Sequence, residues 1–138
     1  MTAAQNKQLL QKVFAETAKG NGRPFVQALA DDVSWTIIGS TAWSKTYRGK
    51  QAVISELLAP LNAQLANGNR ITAHRFIAED DCVVVEARGH NATKAGDPYH
   101  NSYCWVFRLV DGQVVELTEY ADTALINAVL QPPTPRRS

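Results

Sequence analysis

Proton transfer needs an acid or base held beside apolar surface, and residues 99–122 offer the densest set of suitable groups. Asn101, Tyr103, Trp105 and Phe107 fall at every second position, so on a strand their side chains share one face. Asp111-Gly112 then gives the strongest short hairpin signal, leading into a second run, Gln113–Asp122. A two-residue turn pairs Val110 with Gln113. Strict alternation then sets Phe107 opposite Glu116, Trp105 opposite Thr118, Tyr103 opposite Tyr120 and Asn101 opposite Asp122. On that register Asp122 is the candidate proton-transferring or ligand-orienting carboxylate, with Asn101, Tyr103 and Tyr120 beside it. Glu119 falls on the opposite face, with Ser102, Cys104, Val106 and Leu117. Burial disfavours the charged form of a carboxylate and raises its pKa, which brings it nearer the operating pH of a general base.

A third run, Cys82–Asn91, extends this surface. One register places Cys82, Val84, Glu86, Arg88 and His90 on the face that carries Trp105, Tyr103 and Asn101. That face grades from apolar (Cys82, Val84, Phe107, Trp105) to polar (Glu86, Arg88, Asn101, Asp122), as a small-molecule pocket requires. Trp35, from an earlier strand, closes one wall. The expected binding set is therefore Trp35, Glu86, Arg88, Asn101, Tyr103, Trp105 and Tyr120. Each residue also has a plainer reading. Phe107 and Trp105 suit an ordinary core, Asn101 and Asp122 suit a strand-end polar pair, and Glu86 and Arg88 suit a solvated face if the register slips by one.

Other chemistries find little support. His74, His90 and His100 do not fall at metal-ligand spacing, so no metal is expected, and no cofactor. No serine or cysteine occupies a nucleophile-elbow context. Cys82 and Cys104 lie in apolar, strand-like runs and read as reduced thiols acting as small hydrophobes. Fourteen basic and thirteen acidic side chains leave a formal charge of +1, without the electrostatic footprint of a nucleic-acid or anionic-membrane binder. No apolar run approaches the ~20 residues of a membrane span. The polar stretch Met1–Lys12 is unlike a secretory signal, so the cytoplasm is the expected location.

The positioning elements follow from periodicity. Residues 3–19 predict an amphipathic helix through Leu9, Leu10, Val13, Phe14 and Thr17, stopped by Gly20–Gly22. Pro24 suits the first turn of a short second helix that closes at Asp31-Asp32. Val33–Gly39 reads as a strand and Gly39–Gly49 as an ordered loop. A third helix is expected over about Lys50–Asn67, kinked or broken at Pro60. Strands at Arg70–Ala78, Cys82–Asn91, Tyr99–Val110 and Gln113–Asp122 follow, then a helical turn or two over 123–130. Helices segregated from a meander of strands predict an α+β domain over 1–130, with helices on one face of a curved antiparallel sheet. The tail, 131–138, with Pro132, Pro133, Pro135 and two arginines, is expected to be loose.

Several of these runs together resemble a known family. Trp35-x-Ile-Ile-Gly39, Tyr47-Arg-Gly-Lys50, Tyr99-x-Asn-x-Tyr-x-Trp-x-Phe-Arg108, Asp111-Gly112 and Glu119-Tyr-x-Asp-Thr123 are similar to the SnoaL-like branch of the NTF2-like (ketosteroid isomerase-like) superfamily over roughly residues 5–130. The resemblance implies a cone of curved sheet wrapped over three helices, a deep apolar pocket, and dimerisation through the sheet's outer face. It implies Asp122 at the position SnoaL-like cyclases use for acid/base work. A steroid isomerase would want an acidic base where the first strand carries Thr36, Ile37 and Ile38. An epoxide hydrolase would want an Asp–Arg–Asp set, for which Asp122 and Arg88 offer two members and Glu86 the third. Two functions stay open: a cofactor-free isomerase, cyclase or hydrolase acting on a small apolar or polyketide-like substrate, and a non-catalytic carrier, sensor or assembly module with the same pocket.

Overall fold

The structure, a computed structural model, describes residues 1–133. Helix α1 (Ala3–Thr17) begins at a capping box in which Thr2 and Gln5 each accept the other's backbone N–H. It buries Leu10, Val13, Phe14 and Thr17, the predicted stripe with Leu9 half-buried at its margin. Gly20, at φ +85°, ends that segment in the left-handed region glycine favours. Helix α2 (Arg23–Ala28) carries Pro24 in its first turn, as expected. Strand β1 (Leu29–Ile37) starts earlier than its sequence suggested. Asp31 and Asp32, expected to close the helix, instead lie exposed within this strand.

The expected loop 39–49 contains a short edge strand, β2 (Thr46–Arg48). The third helix is three segments in one line: α3 (Lys50–Ala52), a π-helical stretch (Val53–Leu58) and α4 (Ala59–Gln64). Ala59 N–H reaches back five residues to the Ile54 carbonyl. A proline ring clashes with the carbonyl four residues before it, here Glu56, and a widened turn just ahead of Pro60 relieves that clash. The predicted kink thus takes the form of a π-bulge.

The remaining elements are β3 (Ile71–Glu79), β4 (Cys82–Gly89), β5 (Asn91–Ala92), β6 (Pro98–Tyr99), β7 (Ser102–Val110), β8 (Gln113–Ala121) and α5 (Thr123–Val129). Six strands form one sheet in the order β2-β1-β8-β7-β4-β3, while β5 and β6 form a separate ribbon. The fold is α+β, and the sheet is mixed because β1 runs parallel to β8. Helix α1 packs on β3 and β4, and Phe14 meets Phe25, Trp105 and Phe107 at 5.5–6.0 Å between ring centroids. Among the described residues, no helix is long and apolar enough to cross a membrane.

Two registers depart from alternation, and both matter for the site. Asp111 and Gly112 both have positive φ, as a type I′ turn demands, and Val110 pairs with Gln113 as predicted. Leu109 then pairs with Val114, but Arg108 pairs with Glu116, so Val115 is an extra residue, a β-bulge. Beyond it Phe107 faces Leu117, Trp105 faces Glu119 and Cys104 faces Tyr120. Every later side chain of β8 is on the face opposite to expectation. Leu117, expected outside, is 1% exposed.

In the second case β4 pairs with β7 through Val83–Phe107, Val85–Trp105 and Ala87–Tyr103. The preceding ribbon pairs Asn91 with Tyr99, which encloses the seven residues 92–98. An odd loop opposes residues of equal parity, whereas the expected register set even positions of β4 beside odd ones of β7. Glu86 and Arg88 therefore point to the outer face.

The chain's end is partly fixed. Gln131 exchanges two hydrogen bonds with the Gln64 side chain and accepts another from Trp43 Nε1. The expected loose tail is thus anchored at its first residue, while residues 134–138 lie outside the described part.

Candidate functional site

The sheet's concave face and the helices over it enclose a cavity of about 530 Å³. The sheet supplies Trp35 and Ile37 from β1, Tyr103 and Trp105 from β7, and Glu119 from β8. The π-helical stretch supplies Ile54, Leu57 and Leu58. The chain's three tryptophans, Trp35, Trp43 and Trp105, all line this space.

Glu119 is the carboxylate in the cavity wall. It is 8% exposed, and its Oε1 accepts a hydrogen bond of 2.8 Å from Trp105 Nε1. Burial pushes its pKa from an ordinary 4.5 to about 7, while the indole N–H groups of Trp105 and, less directly, Trp35 pull it down. Trp35 Nε1 is itself buried and completes no hydrogen bond among the described residues. Its N–H lies close enough to the Glu119 carboxyl to favour the charged form there.

Two tyrosines flank this centre. Burial raises both the Tyr99 and Tyr103 hydroxyls, with the charge of Glu119 adding to the effect, so both keep their protons and act as donors at neutral pH. Tyr103 stacks on Trp105 at 4.5 Å between centroids, which fixes the indole that holds Glu119. Asn101 is completely buried and sits behind Tyr99, donating from Nδ2 to its hydroxyl at 3.0 Å.

Of the expected binding set, Trp35, Tyr103 and Trp105 line the cavity. The expected Asn101–Asp122 neighbours do meet, but through the main chain: Asn101 Oδ1 accepts from Asp122 N at 2.9 Å and Nδ2 donates to Asp122 O at 3.3 Å. Asp122 itself is exposed, one residue past β8, where Oδ1 caps α5 by accepting from Leu125 N. Its placement is that of a helix cap. Tyr120 is 47% exposed on the outer face, because the bulge reverses the strand. Glu86 pairs there with Arg75, and Arg88 is exposed beside Ser102. The Asp–Arg–carboxylate constellation does not assemble in the cavity.

Glu119 and Tyr99 are the principal groups that alternation passed over. One signal for Glu119 was visible. Val114 and Leu117 are three apart, so a regular strand cannot bury both, and a bulge between them is the local way to do so.

A family model for the SnoaL-like domain matches residues 10–117. The chain belongs to the SnoaL-like family. Solved structures support the fold independently. An NTF2-like protein of unknown function from Burkholderia pseudomallei shares 21% identity, with 90% of this chain and 95% of that chain covered and a TM-score of 0.78. A candidate SnoaL-like polyketide cyclase from Jannaschia shares 16%, covering 98% and 96%, with a TM-score of 0.75. A candidate isomerase from Bacillus subtilis shares 18%, covering 94% and 95%, with a TM-score of 0.76. No curated protein matches the sequence. At these identities the SnoaL-like likeness speaks for the fold, and the chemistry must come from the site itself.

Proposed function

We propose that this SnoaL-like protein is a cofactor-free proton-transfer enzyme of isomerase or cyclase type, acting on a small, largely apolar molecule, with Glu119 as the group that carries the proton. The observation behind this reading is a single buried carboxyl, titrating near 7, on the wall of an apolar aromatic cavity. An acid or base works best when its pKa lies near the operating pH. The Trp105 and Trp35 N–H groups beside it favour the carboxylate form that takes a proton from carbon. The protonated Tyr99 and Tyr103, which line the same cavity, suit a substrate oxygen that gains negative charge as that carbon loses its proton, the logic of an oxyanion donor. Hydrolysis by a charged Asp–Arg set is disfavoured, since Arg88 and Asp122 lie outside the cavity. The names given to the Jannaschia and Bacillus proteins agree with this reaction class. Both cysteines are unbridged, which suits a reducing compartment such as the cytoplasm.

The test needs no cognate substrate. Cyclic ketones and 1,3-diketones in deuterium oxide exchange their α-protons slowly, and magnetic resonance follows the loss of signal. The wild-type protein should accelerate exchange for at least one such compound, and Glu119→Gln should lower that rate by on the order of 10²–10⁴. Asp122→Asn should leave it unchanged. Compounds that bind without faster exchange, or equal rates for wild type and Glu119→Gln, would favour a carrier or sensor.

A further inference from the structure

The mouth of the cavity differs in chemistry from its interior. Two loops approach each other there, since a Cβ built on Gly68 would lie 3.8 Å from the Gly20 carbonyl oxygen. Gly20 and Gly22 line the opening from one loop, Arg23 from the start of α2, and Gly68 and Asn69 from the other loop, with Asn62 of α4 nearby. Arg23 is the cationic residue of this lining, exposed and without an ion pair among the described residues. Arg70 adds a second guanidinium at the same place, its side chain 3.5 Å from where a Gly20 Cβ would stand. Asn69 Oδ1 accepts from Asn91 Nδ2 at 2.8 Å, so its amide oxygen is already engaged. Nearby Glu16 is engaged by Lys19 and Asn21. Among the described residues, Glu119 is the one carboxylate that lines the cavity.

We propose that the ligand is an organic anion, whose flat apolar body fills the tryptophan-lined cavity and whose carboxylate or similar group is held at the mouth by Arg23. This rests on the pocket reading above and names its substrate class. A guanidinium presents several N–H donors in a fixed fork that matches a carboxylate or sulfonate. Arg70 and the amides of Asn62 and Asn69 reinforce the same polarity. The anion and the interior carboxyl do not compete, because Arg23 is exposed while Glu119 is buried and keeps its proton to about pH 7.

Two fluorescent probes of similar shape separate charge from apolar fit: anilinonaphthalene sulfonate carries an anionic group and N-phenylnaphthylamine does not. Because all three tryptophans line the cavity, energy transfer from them reports occupancy of this site. Arg23→Gln should weaken the sulfonate probe about fivefold, leave the neutral probe within about twofold, and Arg23→Lys should restore most of the loss. Raising salt to about 0.5 M should shrink the difference, as expected for an exposed charge pair. If the neutral probe binds but Arg23→Gln leaves the sulfonate probe unchanged, or weakens both equally, the anion assignment falls while the pocket stands. If neither probe quenches the tryptophans of the wild type, the pocket reading falls and takes this proposal with it.

Discussion

Glu119 stands between two opposing effects: an apolar surround that rejects its charge and indole N–H groups that welcome it. Burial wins, and the pKa settles near 7. The consequence for stability has a definite sign. Between 4.5 and about 7 the unfolded chain has released this proton while the folded chain still holds it. The folded state therefore binds more protons, and stability falls as pH rises through that window. The penalty is complete above about 7 and amounts to about 3 kcal/mol for a shift of this size. Gln at this position can no longer ionise and keeps an oxygen for Trp105. Urea unfolding at about pH 5 and about pH 8 should show the wild type losing about 2.5 kcal/mol relative to Glu119→Gln, since part of the penalty is already present at about pH 5. A difference that does not change with pH would mean the carboxyl is not shielded as described.

At the scale of elements, the site depends on one residue that makes no contact with it. Val115 is the bulge that turns Leu117 and Glu119 inward and Tyr120 outward. Deleting it would give the hairpin the regular register that alternation predicts. Leu117 and Glu119 would then face outward, and Glu116 and Thr118 would face the core. A strand with its buried set exposed loses several kcal/mol, so this deletion should unfold the protein or leave a loosely packed form. Deleting the exposed Pro132, which lies after the last element and sets no strand register, should be tolerated far better. Thermal melts of the two variants decide the point, and equal melting temperatures would mean that the bulge is not what sets β8's faces. The same residue explains what could be read from sequence. Helix stripes, the type I′ turn and the elements' order follow from local periodicity and turn chemistry, so α1, α2, β3, β4, β7, β8 and α5 were legible, while the short β5–β6 ribbon was read as strand ends and loop. Which face each strand shows depends on parity, and a single inserted residue or an odd loop reverses it. Trp35, Tyr103 and Trp105 were placed correctly in the cavity because they precede the bulge or lie on the strand it does not alter. Asp122, Tyr120, Glu86 and Arg88 were misplaced because each lay beyond a parity change.

For the whole molecule, the sheet's outer face poses the remaining question. Pairing sets Ile77 beside Val84, Val84 beside Val106 and Val106 beside Thr118, with Thr36 and Thr46 continuing the row. Cys104 and Tyr120 form the next pair along. Ile77 on β3 is 51% exposed and Tyr120 on β8 is 47% exposed, high values for large apolar side chains. Charged groups border the row: Arg75 with Glu86 on one side, and Arg108 with Asp81 and Glu116 on the other. An apolar band inside a polar rim is how an interface is built, and a twofold dimer is the commonest closed way to cover one. The bulge corrects which residues take part. Leu117 is withdrawn into the core and Tyr120 replaces it. Light scattering at micromolar concentration should therefore give twice the 15.1 kDa chain mass. Tyr120→Lys combined with Ile77→Lys should shift the protein to monomer with an unchanged circular dichroism spectrum, because both side chains lie outside the core. The wild type scattering as a monomer would overturn the dimer. A double variant that stays dimeric would move the interface away from this face.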